Sequence, residues 1–320
     1  MFSAEDAQEL QMALPEIDFR QAAQPSAALT SYRQHYGLDF QSGASHETHD
    51  IHHAMGFFMA NGKRLVCQYF RPPNPRATVV LVHGYYDHVG LYGHLIRYCL
   101  HRQFAVVAFD LPGHGLSEGA TAAIASFDEY TDALETCLQL MERATLERPY
   151  HALGQSTGGS IVMDYCQRHC ERSAGELEHV VLLAPLVRPM NWVRGKLLHS
   201  VVRLFANGIR RDFAANSHDE AFLQFIAEQD PLQSRRLTVS WVSALKQWLR
   251  VFESRPPCSR ALKLIQGTDD TTVDWQYNLR RIQRQFPSVQ IVRLEQARHH
   301  LANESLPYRE KLLALLDEFL

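Results

Sequence analysis

The residue types needed for nucleophilic catalysis occur in this chain in a set order. Ser156 stands in the segment GQSTGG, with Gly154 and Gly158 two residues away on either side. A serine hydroxyl is a weak nucleophile unless a base takes its proton and a third group orients that base. Acids and bases follow later in the chain, at Asp269, Asp270, Asp274, His299 and His300. Together these residue types could transfer an acyl group.

The segment around Ser156 is typical of a sharp turn from a strand into a helix. The apolar run from Tyr150 to Leu153 precedes the turn, and a segment able to form a helix begins at Thr157. Glycine is expected on both sides because a β-carbon there would collide with the neighbouring chain. The helix N-terminus would then present free N–H groups and positive potential near the serine oxygen. The alternative is a plain turn whose serine only caps the helix.

The acid is expected after a late strand, because the order serine, acid, histidine accompanies this kind of turn. Asp270 lies three residues after Gly267, in the turn that follows the apolar run 261–267, and it is the predicted acid. Asp269 and Asp274 compete with it, since any of the three could be a turn-forming aspartate.

The base is expected a few residues beyond the last apolar run, 289–295. Both His299 and His300 lie there, and their distance from the run does not choose between them. A polar histidine in a loop is usually a surface residue, but here two occur where the third member of the site is needed. Both are therefore candidates for the base.

Two further loops are expected at the same edge of the sheet. His83 and Gly84 end the run ATVVLVHG, and Gly84 allows the backbone to turn so that the N–H of Tyr85 faces the serine. With the N–H of Thr157, this group would form an oxyanion hole. The loop DLPGHGLSEG is predicted to be structural rather than catalytic, through Asp110, Gly113, His114 and Gly115.

Short apolar runs alternate with segments able to form helices over most of the chain. The runs cover 77–84, 104–110, 150–155, 179–185, 261–267 and 289–295. This alternation predicts an α/β fold whose central sheet is mostly parallel and covered by helices on both faces. Two more strands around Asn61-Gly62 predict a hairpin that adds an antiparallel edge.

The alternation is interrupted over 186–260, where several amphipathic helical segments occur without a buried strand. We predict a helical cap here, inserted into a core of 46–185 and 261–320 and preceded by an N-terminal extension, 1–45. Ligands of open α/β sheets bind at the carboxyl ends of the strands, so such a cap would roof the site.

The composition excludes several functional classes. A formal net charge of -3 gives no overall attraction to nucleic acid, and 46% hydrophobic and 21% charged residues are typical of a globular protein. No phosphate-binding or dinucleotide motif follows the first strand, so no cofactor is predicted. Six cysteines without paired spacing predict reduced, buried thiols. With no signal segment, this predicts a cytoplasmic protein, at most peripheral to the inner membrane.

Four histidines lie close together in HETHDIHH, namely His46, His49, His52 and His53. A metal site is one interpretation of such a cluster. The zinc-protease spacing H-E-x-x-H is absent, however, and the segment leads into an edge strand. We therefore predict an incidental cluster and no metal.

The segment 188–211 is basic and amphipathic. The charged residues from Arg188 to Arg211 include no acid, and they are Arg188, Arg194, Lys196, Arg203, Arg210 and Arg211. Apolar residues are interleaved with them. Such a segment could lie on an anionic membrane surface. The alternative is a helix that packs its apolar side on the core and leaves a solvated basic side.

Five segments together resemble a known family: HGYYDHVGLYGHL, DLPGHGLSEG, GQSTGG, GTDDTTVD and HHLANE. From about His52 onward the chain resembles the α/β-hydrolase superfamily, and in it the monoacylglycerol lipase and lysophospholipase group, which also carries a serine aminopeptidase label. In that group the catalytic histidine is followed at two positions by an apolar residue and at five by an acid. His299, with Leu301 and Glu304, fits this pattern and His300 does not. The resemblance also supports Asp270.

The resemblance implies a carboxylic-ester hydrolase that forms an acyl-enzyme at Ser156, acting on monoacylglycerol or lysophospholipid. One stretch departs from the family. Relatives often have Gly-Glu-His and then an arginine, whereas this chain has Tyr86-Asp87-His88 and Leu91. The polar contacts beside the oxyanion hole are therefore expected to differ.

Two other functions remain open. An aminopeptidase of the same fold would need acids in the cap to hold the substrate ammonium, and Glu220, Glu228 and Asp230 are available. The chain could also be a binding protein that has the hydrolase fold but no catalytic activity. Such a protein would need no nucleophile, so the complete set of candidate catalytic residues argues against it.

Overall fold

The computed structural model describes residues 2–40, 51–171, 177–202, 204–211 and 213–320. The strands of its central sheet are β1 His52–Ala60, β2 Lys63–Arg71, β3 Ala77–Val82, β4 Phe104–Phe109, β5 Tyr150–Gln155, β6 Val180–Leu183, β9 Lys263–Gly267 and β10 Gln290–Leu294. A second, two-stranded sheet contains β7 Gly208–Arg210 and β8 Arg236–Thr238. The helices are α1 Ala4–Ala13, α2 Ala27–Tyr36, α3 Gly93–His101, α4 Asp128–Arg143, α5 Thr157–Arg168, α6 Trp192–Val202, α7 Glu220–Gln224, α8 Val239–Ser254, α9 Trp275–Gln285 and α10 Leu306–Phe319.

The central sheet has the strand order β1-β2-β4-β3-β5-β6-β9-β10. All pairings from β4 to β10 are parallel, while β1 pairs antiparallel with β2, and β2 with β4. The predicted fold, a mostly parallel sheet with an antiparallel N-terminal hairpin and helices around it, is confirmed. Since the parallel strands point the same way, the loops that follow them meet at one edge.

The hairpin between β1 and β2 turns at the predicted dipeptide. Ala60 pairs with Lys63 across a two-residue loop, and Asn61 and Gly62 have φ angles of 49° and 72°. Two successive left-handed residues define the turn that matches the twist of paired strands, and asparagine and glycine adopt this conformation at low cost.

Helices cover both faces of the sheet because successive side chains of each strand point to opposite sides. In β3, Val80 and Val82 pack with the helices on one face, which are α4, α5, α8 and α9. Val79 and Leu81 pack with those on the other face, which are α1, α2, α3 and α10. From Val79 to Val82 the strand is therefore apolar on both faces, as burial on both sides requires.

The residues before β1 fold onto the sheet. Phe57 exchanges backbone hydrogen bonds of 2.8 Å with Pro15 and Ile17, which extends the sheet beyond its edge strand. A β-carbon on Gly56 would lie 2.8 Å from the backbone of Ile17, so this contact requires glycine. The predicted boundary between 1–45 and 46–185 lies outside the described residues.

The segment 186–260 contains more than helices. β7 and β8 pair antiparallel within it, and the sequence pattern did not predict them because each is three residues long and none of their residues is fully buried. Trp248 and Phe252 of α8 are buried in the core with α4 and α5, where the Trp248 ring stacks on Phe127. The proposed division of the chain at 186–260 therefore stays a prediction. None of the helices in the described ranges has both the length and the apolar character needed to cross a membrane.

The prediction of reduced cysteines is wrong for two of the six. Cys170, just after α5, forms a disulfide with Cys258, just after α8, with Cα atoms 5.7 Å apart. The partners are 88 residues apart in the chain, so their spacing carries no pairing signal. Cys67, Cys99, Cys137 and Cys166 are buried free thiols. A cytoplasmic location stays a prediction, and it loses the support of the cysteines because disulfides persist mainly in oxidising compartments.

Candidate active site

Four strand ends bring the predicted site residues together. Ser156 follows β5, and Tyr85 lies in the loop after β3. Asp270 follows β9, and His299 lies in the loop after β10. All but Asp270 line one cavity, and Asp270 contacts it through His299. Parallel strands make this meeting possible because their carboxyl ends share one edge.

Ser156 occupies a strained turn between β5 and α5. Its backbone has φ 54° and ψ −114°, a combination that costs a non-glycine residue of order 1–3 kcal/mol. The two glycines allow the chain to pass so closely. A β-carbon on Gly154 would lie 2.7 Å from the backbone of Gly158, and one on Gly158 would overlap the carbonyl oxygen of Val82. The turn is therefore held by close backbone packing.

A chain of hydrogen bonds links the serine, the histidine and one aspartate. Nε2 of His299 lies 2.9 Å from Oγ of Ser156, and Nδ1 lies 2.7 Å from Oδ2 of Asp270. Because an ionised carboxylate only accepts hydrogen bonds, it holds the ring proton on Nδ1 and leaves the Nε2 lone pair facing the serine. The amide of Gln155 donates to the His299 carbonyl at 2.9 Å, which fixes the histidine loop against β5.

Asp270 is kept ionised by its surroundings. Burial would raise its pKa, but the attraction of His299 and several hydrogen bonds outweigh burial, and the pKa lies below its usual value. The backbone N–H groups of Thr272 and Val273 donate to Oδ1 at 2.8 and 3.1 Å. The amide of Gln266 donates to Oδ2 at 3.0 Å. These donors also orient the carboxylate toward the histidine.

The competing acids have other places in the structure. Asp269 is half exposed and lies 3.6 Å from Nε of Arg298. Asp274 caps α9 by accepting from the N–H of Tyr277 at 3.2 Å, and it forms an ion pair with Arg188.

The competing histidine faces the same cavity without touching the serine. Nε2 of His300 lies 3.2 Å from Oδ2 of Asp87, a residue that follows the predicted oxyanion loop. Burial would raise the pKa of Asp87, but the neighbouring His300 and other hydrogen bonds hold it well below its usual range. Asp87 also accepts from the hydroxyl of Tyr92 at 2.8 Å. This second aspartate–histidine pair was not predicted.

Tyr85 and Thr157, the residues whose backbone N–H groups were predicted to form the oxyanion hole, both line the cavity that contains Ser156. No described carbonyl or side chain accepts a hydrogen bond from either group. A β-carbon on Gly84 would lie 3.4 Å from Cβ of Ser156, which places the loop directly beside the serine. The ring of Tyr85 stacks on Trp241 of α8 at a centroid distance of 3.8 Å and so ties this loop to the insertion.

His83 also fixes the loop at Gly84 and Tyr85 through hydrogen bonds. Its Nε2 accepts from the N–H of Leu111 at 2.9 Å, so the ring proton is on Nδ1, which donates to the Gly84 carbonyl at 2.7 Å. Burial lowers the pKa of His83 to about 3, and the ring is therefore neutral. The N–H of Gly84 donates to the hydroxyl of Tyr92 at 3.1 Å. These bonds position the loop without exposing a reactive group.

The loop DLPGHGLSEG packs under the site as expected. Both carboxylate oxygens of Asp110 accept backbone hydrogen bonds, from Val89 at 2.7 Å and from Leu116 at 2.8 Å. Gly113 and Gly115 have φ angles of 73° and 52°, and a β-carbon on Gly115 would overlap the Asp110 carboxylate. His114 is buried in the same loop.

The histidine cluster does not reach the site. His46 and His49 lie outside the described residues. Nε2 of His52 donates to the Phe19 carbonyl at 2.9 Å, and Nε2 of His53 lies 3.1 Å from the Gln68 amide oxygen. Within the described ranges, no three side chains of the types that bind metals converge.

Two cavities lie above the strand ends. The catalytic cavity, of about 230 Å³, contains Ser156 and His299. The apolar chamber, of about 190 Å³, adjoins it and is lined by α6, β7, β8 and the start of α8. Both are bordered by Pro189, Leu237 and Trp241, so the two cavities adjoin at these residues.

The catalytic cavity has polar lining residues that the apolar chamber lacks. We call the set formed by Tyr86, Asp87, Arg211, Asn216 and His300 the polar wall. The sequence analysis counted Arg211 only as part of a basic amphipathic segment and did not assign Asp87 or Asn216 to the site. The departure of Tyr86-Asp87-His88 from the family pattern was the one signal available.

The fold and the arrangement at the strand ends define an α/β-hydrolase. Residues 73–306 match the family described as serine aminopeptidase, S33. The chain belongs to this family, in the monoacylglycerol lipase group of α/β-hydrolases.

Named relatives support an ester hydrolase. The chain is 25% identical to human monoglyceride lipase over 78% of this chain and 83% of the relative. It is 26% identical to phospholipase YtpA of Bacillus subtilis over 64% of this chain and 80% of the relative. The crystal structure of Paleococcus ferrophilus monoacylglycerol lipase has a TM-score of 0.67 and 22% identity, covering 80% of this chain and 98% of that one. The resemblance predicted from the sequence motifs is confirmed.

Proposed function

We propose that the chain hydrolyses carboxylic esters through an acyl-enzyme on Ser156. The observation that carries this proposal is the hydrogen-bonded series Ser156 Oγ, His299 Nε2, His299 Nδ1 and Asp270 Oδ2, with distances of 2.9 and 2.7 Å. His299 is the base, and Asp270 orients it and stabilises its charged form.

The reaction follows from this arrangement. His299 takes the proton of Ser156 as the oxygen attacks the ester carbonyl, and the oxyanion lies on the N–H groups of Tyr85 and Thr157. His299 then gives the proton to the departing alcohol, which leaves an acyl group on Ser156. Water enters, loses a proton to the same ring and releases the acid by the same steps in reverse.

The neighbouring cavity supports a long-chain acyl substrate. Trp192, Val202 and Val242 are among the apolar residues that line the chamber next to Ser156. An acyl chain in this chamber would leave water, and each buried methylene contributes about 0.8 kcal/mol. We propose a monoacyl ester of glycerol or of a glycerophosphate, the substrate types that the names of the monoglyceride lipase and phospholipase relatives suggest.

The aminopeptidase alternative lacks the acids that it was expected to use. Glu220 and Glu228 are exposed on α7 and on the π-helical turn after it, and neither lines the catalytic cavity. Asp230 is buried against His88 and Tyr36, with contacts of 2.9 and 2.7 Å. None of the three is placed to hold a substrate ammonium.

The test of the proposed chemistry is the burst of p-nitrophenol from a short acyl ester. Ser156→Ala should abolish both the burst and labelling by a fluorophosphonate, while Ser254→Ala, an exposed serine at the end of α8, should retain both. A normal burst from Ser156→Ala would exclude Ser156 as the nucleophile. Hydrolysis of aminoacyl-naphthylamides in preference to esters would instead favour the aminopeptidase.

We also propose that the segment 188–211 contacts the membrane. Val193, Leu197, Leu204 and Phe205 are each at least two-thirds exposed, and the basic residues Arg194, Lys196 and Arg210 are exposed among them. Arg203 lies outside the described residues. The opposite side of α6 lines the apolar chamber, so a lipid could pass from the surface into the chamber.

Sedimentation with anionic vesicles tests this contact. The double variant Leu204→Ser, Phe205→Ser should bind less than the wild type at low salt, whereas Met12→Ser, which changes an exposed residue of α1, should bind as the wild type does. If the double variant binds as well as the wild type, 188–211 is not the membrane contact.

A further inference from the structure

The two sides of the catalytic cavity differ in chemistry, and only one of them is explained by an acyl chain. Pro189, Leu237 and Trp241 line both the catalytic cavity and the apolar chamber, so the two cavities adjoin there. The residues of the polar wall line the catalytic cavity and not the chamber, so they are available to the alcohol part of an ester whose acyl chain lies in the chamber. The charges and hydrogen-bonding groups of this wall therefore select the alcohol.

Arg211 brings a positive charge to this wall. Its Nη1 donates to the amide oxygen of Gln233 at 2.6 Å and to the Ser234 carbonyl at 3.3 Å. Its guanidinium lies 3.9 Å from the Tyr86 ring centre and 4.4 Å from that of Phe213. Burial lowers the pKa of Arg211, but a guanidinium stays protonated at any physiological pH. The neutral partners hold the fork in place without cancelling its charge.

The nearest acids do not neutralise Arg211. Among the described residues it has no ion pair within 4 Å. Asp87 lies on the same wall, but it is bonded to the Tyr92 hydroxyl and lies against His300. Asp230 accepts from His88, Tyr36 and the amide of Gln233. Gln233 thus connects the buried Asp230 to Arg211 and presents its oxygen, rather than a carboxylate, to the guanidinium.

A second feature of the wall also indicates a polar ligand. Nδ1 of His300 has no hydrogen-bond partner among the described residues, although the residue is only 3% exposed, while Nε2 faces Asp87 at 3.2 Å. The side-chain amide of Asn216, whose oxygen has no partner among the described residues, carries an NH2 group that can donate to a ligand, and the Asn216 carbonyl accepts from the backbone N–H of His300 at 2.8 Å. Buried polar groups without partners are costly, and both of these residues border the catalytic cavity.

We propose that the polar wall is a binding site for the phosphate of a glycerophosphate headgroup, with Arg211 as its anion-binding residue. This inference rests on the ester hydrolase proposed above and selects among its substrates. The planar guanidinium can donate two parallel hydrogen bonds to phosphate oxygens, an arrangement that a neutral glycerol cannot match. Lysophospholipids are thus favoured over uncharged monoacylglycerols of the same chain length.

The experiment compares two soluble substrates that differ only in the phosphate, 1-octanoylglycerol and 1-octanoylglycerol 3-phosphate. Arg211→Gln should lower kcat/KM for the phosphate substrate about 10- to 100-fold more than kcat/KM for 1-octanoylglycerol, as expected for one charged hydrogen-bonding group. The kcat/KM of Arg211→Lys for the phosphate substrate should lie between that of Arg211→Gln and that of the wild type. Arg235→Gln is the matched control, because Arg235 packs 5.5 Å from the same Phe213 ring but is exposed outside the cavity.

Inhibition provides a readout that does not depend on hydrolysis of either substrate. Glycerol 3-phosphate should inhibit the hydrolysis of p-nitrophenyl butyrate by the wild type and by Arg235→Gln, but not by Arg211→Gln; glycerol should inhibit none at the same concentration. Equal losses on both octanoyl substrates, or no change in either, would overturn the phosphate site. Failure of the proposed ester hydrolysis at Ser156 would be seen separately, as an undiminished burst of p-nitrophenol from Ser156→Ala.

Discussion

The apolar chamber and the polar wall recognise a substrate by different physical means. The chamber is lined by side chains of the 186–260 segment, and its contacts are apolar and non-directional. The polar wall combines residues from three places, the loop after β3, the end of β7 and the loop after β10. The chamber can adapt to chains of several lengths, whereas the wall requires a group of fixed charge and geometry.

This difference teaches where selectivity arises. Losing one methylene from a chain costs about 0.8 kcal/mol, so the chamber discriminates gradually. An unmatched charge or buried polar group costs more and depends on position, so the wall discriminates sharply. Ser156 lies where the two regions meet, and its chemistry is common to both.

The largest loss of activity should come from changing the proposed catalytic residues, which act on both kinds of substrate. Asp270→Asn would present an amide to Nδ1 of His299 and favour the ring tautomer with its proton on Nε2, facing the serine. We expect kcat to fall about 10⁴-fold for neutral and phosphate substrates alike. Asp269→Asn, next to it in the chain, should stay close to the wild type. A loss confined to one substrate would mean that Asp270 acts through binding.

Asp230 supports the polar wall through Gln233, which binds both Asp230 and Arg211. Asp230→Asn leaves His88 buried without its counter-charge, and we expect a loss of about 3–5 kcal/mol in the free energy of unfolding at pH 6. Urea unfolding measures this loss. Glu228→Gln, an exposed residue nearby, should change little.

The same pair predicts a pH dependence. Burial lowers the pKa of His88, but Asp230 raises it more, and the net shift is upward. A raised folded-state pKa contributes stability below the unfolded value of about 6.5, and this is lost as the pH rises through the folded-state pKa. The difference between Asp230→Asn and the wild type should therefore shrink at high pH. A constant difference would show that His88 does not change its protonation state over this pH range.

A disulfide joins the segments after α5 and α8, beyond the end of the helix whose start lines the apolar chamber. Cys258→Ser should lower the free energy of unfolding by about 2–4 kcal/mol, because the bridge constrains a long loop in the unfolded chain. Dithiothreitol should lower the Tm of the wild type but leave the variant unchanged. Insensitivity of the wild type to reductant would show that the bridge does not contribute.

The smallest expected effect concerns chain length. Val242→Phe would fill part of the apolar chamber and displace about three methylenes, which corresponds to a loss of about 50-fold in kcat/KM for p-nitrophenyl decanoate relative to butyrate. Val251→Phe, 45% exposed on the same helix, is the control. If both esters are affected equally, the chamber does not hold the acyl chain.

Much of the fold follows from local patterns. The strand at Tyr150–Gln155 and the hairpin at Asn61-Gly62 occur as predicted, because buried parallel strands and left-handed turns place strong demands on nearby residues. The predicted Ser156, Asp270 and His299 lie together for the same reason, since each follows a strand of one parallel sheet. Their catalytic roles remain the proposal that the variants above test.

Features that depend on distant residues could not be predicted. The Cys170–Cys258 bridge joins residues 88 apart, and Arg211 lines the catalytic cavity although the pattern of its segment predicted only a basic amphipathic helix. The strands β7 and β8 are too short to show the alternation of apolar and polar residues that predicts a strand. The bond between Tyr36 and Asp230 links residues 194 apart, so no local pattern signals that α2 supports the site.

The sequence by itself determined the sheet, the strained turn at Ser156 and the order of the candidate catalytic residues, because backbone sterics and strand periodicity act over a few positions. Only the tertiary structure decided which side chains face the serine from the insertion, which cysteines pair and that Asp87 meets His300. These outcomes depend on packing between segments far apart in the chain, where the direction of a side chain is set by its neighbours in space.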